Sequence, residues 1–293
     1  MTNCTQPGLN LTELIKSTTQ LNKDGLTIGL VSIDGLIQEL NLHPYAVAYP
    51  SDLNDETQTQ LLNQCDGNPA EYFVSALAKQ LIQAAKLAGE QPLRVRLSGA
   101  DSHQRQTLLG AELEASEVNP LIGLRGVSRF ADKSIRKSFE LECEAIKRAR
   151  NAEGMTNIEL VIPFVRTFSE AATIIDLLAE QGLCRGAHGL KVHLMAELPA
   201  NALLADKFLQ YFDGLVIDID QLAQFSLGLD QTHPSLDYLH DDQNEAVLLL
   251  VRQALKAAAT TGKGCAVVSH YIEKAPKLQS WLLDHDVDTV ITQ

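Results

Sequence analysis

Short aliphatic runs alternate with longer amphipathic stretches along most of this chain, and this alternation constrains the fold more than any other feature. Eight runs have the length of a strand, and most are aliphatic on both faces, as in parallel strands covered by helices. These predicted strands are 26–33 (LTIGLVSI), 93–99 (LRVRLSG), 121–126 (LIGLRG), 158–165 (IELVIPFV), 190–197 (LKVHLMAE), 214–220 (GLVIDID), 264–270 (GCAVVSH) and 288–292 (DTVIT). The sequence therefore predicts an α/β protein with a parallel sheet.

The stretches between these runs repeat apolar residues at a spacing of three and four, which is typical of helices that bury one face. The clearest are 70–89, 133–154, 169–182 and 244–262, and the third of these opens with a serine cap and ends on a glycine. Eight strands without a linker rich in Pro, Gly or Ser favour a single (β/α)₈ TIM barrel. An open, doubly wound sheet is the alternative, because periodicity cannot show closure.

The two ends of the chain predict an unusual closure of this barrel. No helical pattern follows 288–292, so the last helix is missing from the alternation. Leu11, Leu14, Ile15 and Leu21 lie at helical spacing near the other end. We expect an N-terminal helical extension over 1–22, ahead of a barrel over 23–293, to cover the gap. A second subunit is the alternative cover, which would make the protein a homo-oligomer through its uncovered last strand.

Charge, cysteine usage and the start of the chain limit its partners and location. The 293 residues carry a net charge of −13, which argues against nucleic acid or an anionic membrane as a partner. The five cysteines are scattered without CxxC spacing, as expected for free thiols in a reducing compartment. The N-terminus lacks a secretion signal and the aliphatic runs are too short to span a bilayer. We therefore expect a cytoplasmic protein.

Polar residues cluster at the ends of the predicted strands, where the chemistry of a (β/α)₈ barrel is found. They are Ser32, Asp34, Arg96, Ser98, Asp101, Arg125, Arg129, Arg166, Glu197, Asp218, Asp220, Ser269 and His270. Arginine forks match phosphate or carboxylate oxygens, and carboxylates on neighbouring strands suit Mg²⁺. The pattern predicts a pocket for a small phosphorylated or carboxylated metabolite. The alternative is a structural network in which these acids and arginines neutralise each other.

Several long motifs then resemble a known family. They are NPLIGLRGVSRF (119–130), FELECEAIKRAR (139–150), TNIELVIPFVRT (156–167), GLKVHLMAELPANALLADKFLQYFDG (189–214) and LGLD (227–230). Over roughly residues 25 to 292 the chain resembles the C-terminal, PEP- and pyruvate-binding domain of the PEP-utilising enzymes, closest to phosphoenolpyruvate synthase. The resemblance implies a TIM barrel that binds phosphoenolpyruvate or pyruvate with Mg²⁺ at its mouth. It also implies phosphoryl exchange with a histidine on a separate domain, which an ATP-grasp domain charges.

Carried over residue by residue, the resemblance keeps part of the family's site. Arg96 and Arg125 match two ligand-binding arginines, and Glu197 matches a metal-binding glutamate. The family's second metal-binding position is Gln221 here, so Asp220 becomes the tentative replacement. The implied substrate-binding residues are thus Arg96, Arg125, Glu197 and Asp220, with Mg²⁺ held by Glu197 and Asp220.

Other positions depart from the family. Ser32 stands where the family has an arginine, and Gly99 where it has an aspartate. Val268 occupies the position of the catalytic cysteine and cannot handle the enol proton. Cys265 lies three residues earlier, so the strand period of two would turn it to the other side of the sheet. No catalytic residue is carried over.

Three functions follow from this comparison. The first is a stand-alone barrel without histidine and ATP-grasp domains and with a degenerate active site, a pseudoenzyme that still binds a small phosphorylated or oxo-acid ligand. The second is a Mg²⁺-dependent lyase or aldolase acting on an oxo-acid through Glu197 and Asp220, with His270 or Ser269 as a base. The third is residual phosphotransfer with a separate histidine-domain partner. Whether the chain is an enzyme stays open.

Overall fold

Eight parallel strands close into a barrel in the computed structural model, which describes residues 9–239 and 241–292. The strands are β1 (Asn10–Ile15), β2 (Ile28–Ser32), β3 (Leu93–Arg96), β4 (Ile158–Ile162), β5 (Val192–Ala196), β6 (Gly214–Asp218), β7 (Gly264–Val268) and β8 (Thr289–Thr292). Each strand pairs with its neighbours in chain order, and β1 joins β8 to β2. The predicted TIM barrel is therefore confirmed, and the open sheet is excluded.

Alternate side chains of these strands fill the inside of the barrel. The interior cluster consists of Leu14, Leu30, Val161, Met195, Val216, Val268 and Ile291, all nearly inaccessible to solvent. Their chain neighbours, such as Val31, Leu194 and Val267, point outward and belong to the larger core beneath the helices. Both faces of each strand are thus buried, which explains the continuous aliphatic runs in the sequence. Burying each such side chain contributes roughly 1.5–3 kcal/mol.

Twelve α-helices lie in the described part of the chain. They are α1 (Ile33–Leu40), α2 (Pro44–Ala48), α3 (Asp55–Gln64), α4 (Pro69–Ala88), α5 (Val127–Ala131), α6 (Arg136–Lys147), α7 (Phe168–Glu180), α8 (Pro199–Leu203), α9 (Ala205–Phe208), α10 (Ile219–Leu227), α11 (Glu245–Thr261) and α12 (Pro276–Leu283). Side chains cap several N-termini, including Ser32 on α1 and Asp218 on α10. The serine cap predicted for 169–182 is wrong, because Thr167 caps α7 and accepts from the Glu170 amide.

The helix predicted near the N-terminus is wrong. Residues 10–15 form β1 instead, and only a short 3₁₀ turn, Gln20–Asn22, follows before β2. The apolar residues fit a helical spacing, but the barrel offers hydrogen-bonding edges of β2 and β8 on both sides of this segment, and this tertiary pairing outweighs the local pattern. The barrel thus begins well before residue 23, and residues 1–8 of the predicted extension lie outside the described residues.

The predicted strand 121–126 is also wrong. It forms a 3₁₀ turn, Pro120–Ile122, and a loop that leads into α5. Gly126 has φ +54°, and a Cβ there would come within 2.5 Å of the Pro163 carbonyl oxygen. Gly126 therefore has a backbone conformation that favours glycine, and it lies close to another backbone segment. Both features interrupt a strand at this point. The eighth strand is therefore β1, and this stretch supplies loop residues to the barrel mouth.

The last strand is less exposed than the sequence suggested. Both edges of β8 are paired, to β1 and to β7, and its outward-facing Val290 is fully buried. Within the described residues, which reach Thr292, no helix follows β8. The helical layer is also thin between β1 and β2, where the connection carries only the 3₁₀ turn. The homo-oligomer expected from the sequence stays a prediction.

Two further sequence-based expectations concern the cysteines and membrane spans. Cys65, Cys143, Cys184 and Cys265 are free thiols, and Cys4 lies outside the described residues. Among the helices of the described ranges, none combines the length and apolar character needed to cross a membrane.

Candidate functional site

A cavity of about 390 Å³ opens at the carboxyl ends of the strands. It is lined by Lys16, Ser32, Asp34, Gly35, Gln38, Arg96, Gly99, Ala100, Gln104, Arg125, Pro163, Glu197 and Gln221. We call it the mouth cavity. It brings together three of the site residues predicted from the sequence, Arg96, Arg125 and Glu197. Its volume suits a small metabolite.

Arg96 ends β3 and enters the mouth cavity with part of its hydrogen-bonding capacity unused. Its Nη2 donates to Ser32 Oγ at 2.9 Å and lies 3.8 Å from Asp34 Oδ2. Its buried Nε has no hydrogen-bond partner among the described residues. Asp34 accepts the amides of Gly99 and Ala100, at 2.8 and 3.1 Å, so much of its capacity is committed to the backbone. Arg96 is thus placed to bind an anion.

Arg125 reaches the same cavity from the loop before α5. Its Nε donates to the Gly99 carbonyl at 2.9 Å and its Nη1 to the Leu121 carbonyl at 2.7 Å. The guanidinium lies over the Phe164 ring, 4.2 Å from the centroid. Burial lowers the pKa of this arginine, while the nearby Glu197 raises it. The loop and the ring fix the fork, and Nη2 takes part in none of the hydrogen bonds among the described residues.

Phe164 was missed by sequence reasoning, although it connects two of the predicted residues. Its backbone has φ +54°, a conformation that is strained for a bulky residue and concentrates at functional sites. Its amide donates to Glu197 Oε1 at 2.6 Å. The guanidinium groups of Arg125 and Arg166 both lie over its ring. The motif VIPFVR gave no local signal for the positive φ.

Glu197 follows β5 and is buried at the floor of the mouth cavity. Burial raises its pKa, against the opposing effect of Arg125 and Arg96. The Glu197 carboxyl group therefore lies near two cations, Arg125 and Arg96. Protonation would make it a proton donor at higher pH than an ordinary glutamate.

The acids at the end of β6 hold the backbone. Asp218 caps α10, since its Oδ1 accepts the Gln221 amide at 3.0 Å. Asp220 Oδ2 accepts the His270 amide at 2.8 Å and so fixes the end of β7. Burial, and then the neighbouring Asp220, raise the pKa of Asp218 to about 7. Neither acid is among the residues that line the mouth cavity.

The two predicted Mg²⁺ ligands do not both line the mouth cavity. Within residues 9–239 and 241–292, no group of three or more His, Cys, Asp or Glu side chains is placed to hold a metal ion. Glu197 lines the mouth cavity, but Asp220, its predicted partner, does not. Gln221 lines the cavity, and its Oε1 accepts from Gln224 Nε2 at 3.0 Å. A magnesium ion held by Glu197 and Asp220 stays a prediction from the sequence.

Several other strand-end residues have structural partners. Arg129 bonds Glu114 and the Leu124 carbonyl, and Arg166 bonds the Gly123 carbonyl and Ser128. Ser269 is fully buried beneath the mouth and does not line its cavity. For Arg129 and Arg166 the alternative of a structural network holds.

The position of the family's cysteine is apolar. Val268 belongs to the interior cluster of the barrel and packs among aliphatic side chains. Cys265 lines a different cavity of about 600 Å³ at the opposite end of the strands, together with Asn10 and Thr12. Burial raises the pKa of the Cys265 thiol to about 12, so it stays protonated at neutral pH.

Lys16 is the second residue that sequence reasoning missed. It directly follows β1 and lines the mouth cavity beside Arg96 and Ser32. Had 10–15 been recognised as a strand, the rule that chemistry lies at strand ends would have identified it. Three cations, Lys16, Arg96 and Arg125, thus face one cavity that two acids, Asp34 and Glu197, share.

A larger and more apolar cavity of about 800 Å³ adjoins the mouth cavity. The two share Gln104, Arg125 and Gln221, and the larger one continues past Val118 and Phe225. A ligand held at the cations therefore has room to extend over an apolar surface.

Fold and site define a class: a closed parallel barrel whose mouth gathers two arginines and a lysine around one cavity. The sequence profile described as "PEP-utilising enzyme, PEP-binding domain" matches residues 9–291. The chain therefore belongs to the family of PEP-utilising enzymes, through their PEP-binding domain.

The relatives are full-length enzymes. The chain is 37% identical over 277 residues to a phosphoenolpyruvate synthase of Pseudomonas aeruginosa, covering 92% of this chain and 34% of that protein. It is 36% identical to the phosphoenolpyruvate synthase of Escherichia coli, covering 90% of this chain and 34% of that one. The chain thus spans about a third of the length of these curated relatives. Among solved structures, an HpcH/HpaI aldolase/citrate lyase family protein of Burkholderia cenocepacia matches with a TM-score of 0.46 and 11% identity, covering 98% of this chain and 88% of that one.

Proposed function

We propose that the barrel mouth binds a small phosphorylated or oxo-acid ligand, and that this chain by itself is not a competent phosphotransferase. The observation that carries the proposal is the convergence of Lys16, Arg96 and Arg125 on one cavity at the carboxyl ends of the strands. Such groups match the oxygens of phosphate and carboxylate. The family of the chain supports the same ligand class.

The interior of the barrel speaks against phosphoryl transfer. Val268 stands where the resemblance places the acid/base cysteine, and its surroundings are aliphatic. Cys265 lies at the other end of the strands, with a thiol that burial keeps protonated. A proton-transfer group typically contributes 10²–10⁴-fold to a rate, so its loss is severe. This supports the interpretation of the chain as a degenerate relative, a pseudoenzyme with respect to phosphotransfer.

The other functions expected from the sequence receive less support. A lyase that uses Glu197 and Asp220 needs both carboxylates at one ligand, whereas Asp220 bonds the His270 amide and does not line the mouth cavity. Phosphotransfer with a separate histidine-domain partner would have to proceed without the cysteine. A cytoplasmic location and a homo-oligomer stay predictions from the sequence.

Calorimetric titration tests the proposal. Phosphoenolpyruvate, pyruvate and oxalate are titrated into the full chain, once with EDTA and once with Mg²⁺. We expect saturable binding of at least one of them in both conditions. The double variant Arg96→Ala/Arg125→Ala should lose it, whereas Arg252→Ala, on the exposed side of α11, should not. No binding at millimolar ligand, or unchanged binding in the double variant, would overturn the proposal.

A further inference from the structure

One cation of the mouth cavity, Lys16, is also a nucleophile. We propose that Lys16 is a Schiff-base lysine, whose amine condenses with the keto group of a 2-oxo acid held by Arg96 and Arg125. This inference rests on the proposed function and narrows its ligand to a 2-oxo acid, because only a ligand with a carbonyl carbon can form the bond.

The position of Lys16 is fixed by its backbone. Its amide and the Ser17 amide both donate to Gln20 Oε1, at 2.7 and 3.1 Å. On the other side α1 lies directly on it: a Cβ on Gly35 would come within 2.6 Å of the Lys16 Cα and 2.7 Å of its carbonyl oxygen. The side chain therefore starts from a rigid strand end and projects at the cavity.

The Lys16 amine has no hydrogen-bond or ion-pair partner among the residues that the structure describes. In the described part of the chain, Lys16 Nζ takes part in none of the hydrogen bonds or ion pairs, although Asp34 and Glu197 line the same cavity. The buried cation Arg129 differs from Lys16, because it forms an ion pair with Glu114. A carboxylate partner stabilises the protonated amine, whose lone pair cannot attack a carbonyl carbon. The lack of such a partner therefore favours the nucleophilic, neutral amine.

The electrostatic surroundings act in the same direction. Burial lowers the pKa of Lys16, the positive charge of Arg96 lowers it further, and Asp218 opposes both effects. The charged groups that face the cavity from the other elements are Arg125, Asp34 and Glu197. Desolvation and a neighbouring cation are the two means by which proteins activate a lysine amine for attack on carbonyls.

The condensation balances within the site. The Nζ lone pair attacks C2 of the 2-oxo acid as the C=O π bond opens, and one proton passes from the nitrogen to the former carbonyl oxygen, which gives a neutral carbinolamine. The C2–O bond then breaks, water leaves with a second proton, and the nitrogen lone pair forms the C=N bond of an iminium ion. Glu197 lines the same cavity and is placed to supply the proton for the departing water. Hydrolysis reverses both steps.

The iminium supplies an electron sink next to the carboxylate without a metal ion.

Reductive trapping tests the inference. The full chain is incubated with pyruvate and sodium cyanoborohydride, and the intact mass and the modified peptide are measured. We expect one pyruvate-derived adduct per chain, located on Lys16, with the same yield in EDTA and in Mg²⁺. Lys16→Arg and Lys16→Met should lose the adduct, whereas Lys256→Arg, an exposed lysine of α11, should retain it.

Oxalate separates this inference from the proposed function. Oxalate has no keto group, so its binding reports the anion site without the condensation. Oxalate binding without a pyruvate adduct, or an adduct on another lysine, overturns the Schiff base and leaves the anion site standing. If the wild-type chain binds none of oxalate, pyruvate and phosphoenolpyruvate, both proposals are overturned. Peptide mapping of the wild-type adduct decides the matter even if the Lys16 variants fail to fold.

Discussion

Two clusters of buried charges lie near each other in sequence and use their cations differently. In the first, which packs beside the barrel, Arg129 Nη1 donates to Glu114 Oε2 at 2.9 Å, and His43 Nε2 lies 3.0 Å from the same oxygen. The other nitrogens of Arg129, Nε and Nη2, donate to the Leu124 carbonyl at 3.0 and 2.7 Å. Every guanidinium nitrogen of this arginine is occupied by the protein.

The mouth cavity presents the opposite arrangement. Arg96 uses Nη2 for Ser32, and Lys16 Nζ makes no hydrogen bond or ion pair with any described residue. Removing a charge from water is costly unless another group pairs with it. In the paired cluster around Arg129, other groups of the protein offset the cost of burial. In the mouth cavity, solvent and a bound ligand offset it. The difference separates structural charges from those available for function.

The largest effect is expected in the paired cluster. Arg129→Met removes the partner of Glu114 and leaves a buried carboxylate, which should destabilise the protein by about 3–5 kcal/mol. Urea unfolding measures the change. A loss below about 1 kcal/mol would mean that this cluster is no more structural than a surface pair.

The strand end that carries Lys16 should tolerate substitution almost as poorly. Gly35→Ala places a Cβ against the Lys16 backbone, and overpacking of this kind costs about 1–3 kcal/mol. The displaced lysine should also lose the pyruvate adduct. Gly264→Ala is the matched control, because nothing lies within 4 Å of its added Cβ. Equal thermal stability of the two variants would contradict the close approach.

Arg96→Ala should affect binding far more than stability. A hydrogen bond to a charged group is worth about 1.5–3 kcal/mol, so the Kd for oxalate should rise about 10- to 100-fold. The unfolding free energy should change by less than about 1 kcal/mol, because the arginine makes few contacts within the protein. The reverse pattern, a large loss of stability with intact binding, would place Arg96 with the paired cluster.

The last prediction concerns the pH dependence of stability and a buried acid below the mouth. Glu142 accepts the Ser98 amide at 3.1 Å, and burial raises its pKa from 4.5 to about 7. Above pH 4.5 the unfolded chain ionises this group while the folded one keeps it protonated, so stability falls as the pH rises towards 7. Glu142→Gln should remove this part of the pH dependence in urea unfolding. An unchanged slope between pH 4.5 and 7 would show that Glu142 ionises normally.

The sequence predicted the barrel and most of its strands because a buried parallel strand leaves a continuous aliphatic run. It failed at β1, whose apolar residues also fit a helix, and at 121–126, where an aliphatic run forms a loop. In both places contacts distant in sequence decide the outcome: pairing with β2 and β8 in one, and the approach of Gly126 to Pro163 in the other.

The site, like the fold, was predicted from the sequence only in part. Arg96, Arg125 and Glu197 meet as expected, since each lies at a strand end or in a recognised motif. Asp218 and Asp220 also lie at a strand end, yet they serve as a helix cap and a loop anchor, which side-chain type alone does not reveal. Lys16 was missed because its strand was missed.

A crystal structure of the full chain soaked with pyruvate tests the central claim most directly. The account predicts density for the carboxylate between Arg96 and Arg125, continuous with the side chain of Lys16. Ligand density at the opposite end of the barrel, in the cavity lined by Asn10 and Cys265, or a mouth cavity that stays empty at saturating pyruvate, would contradict it.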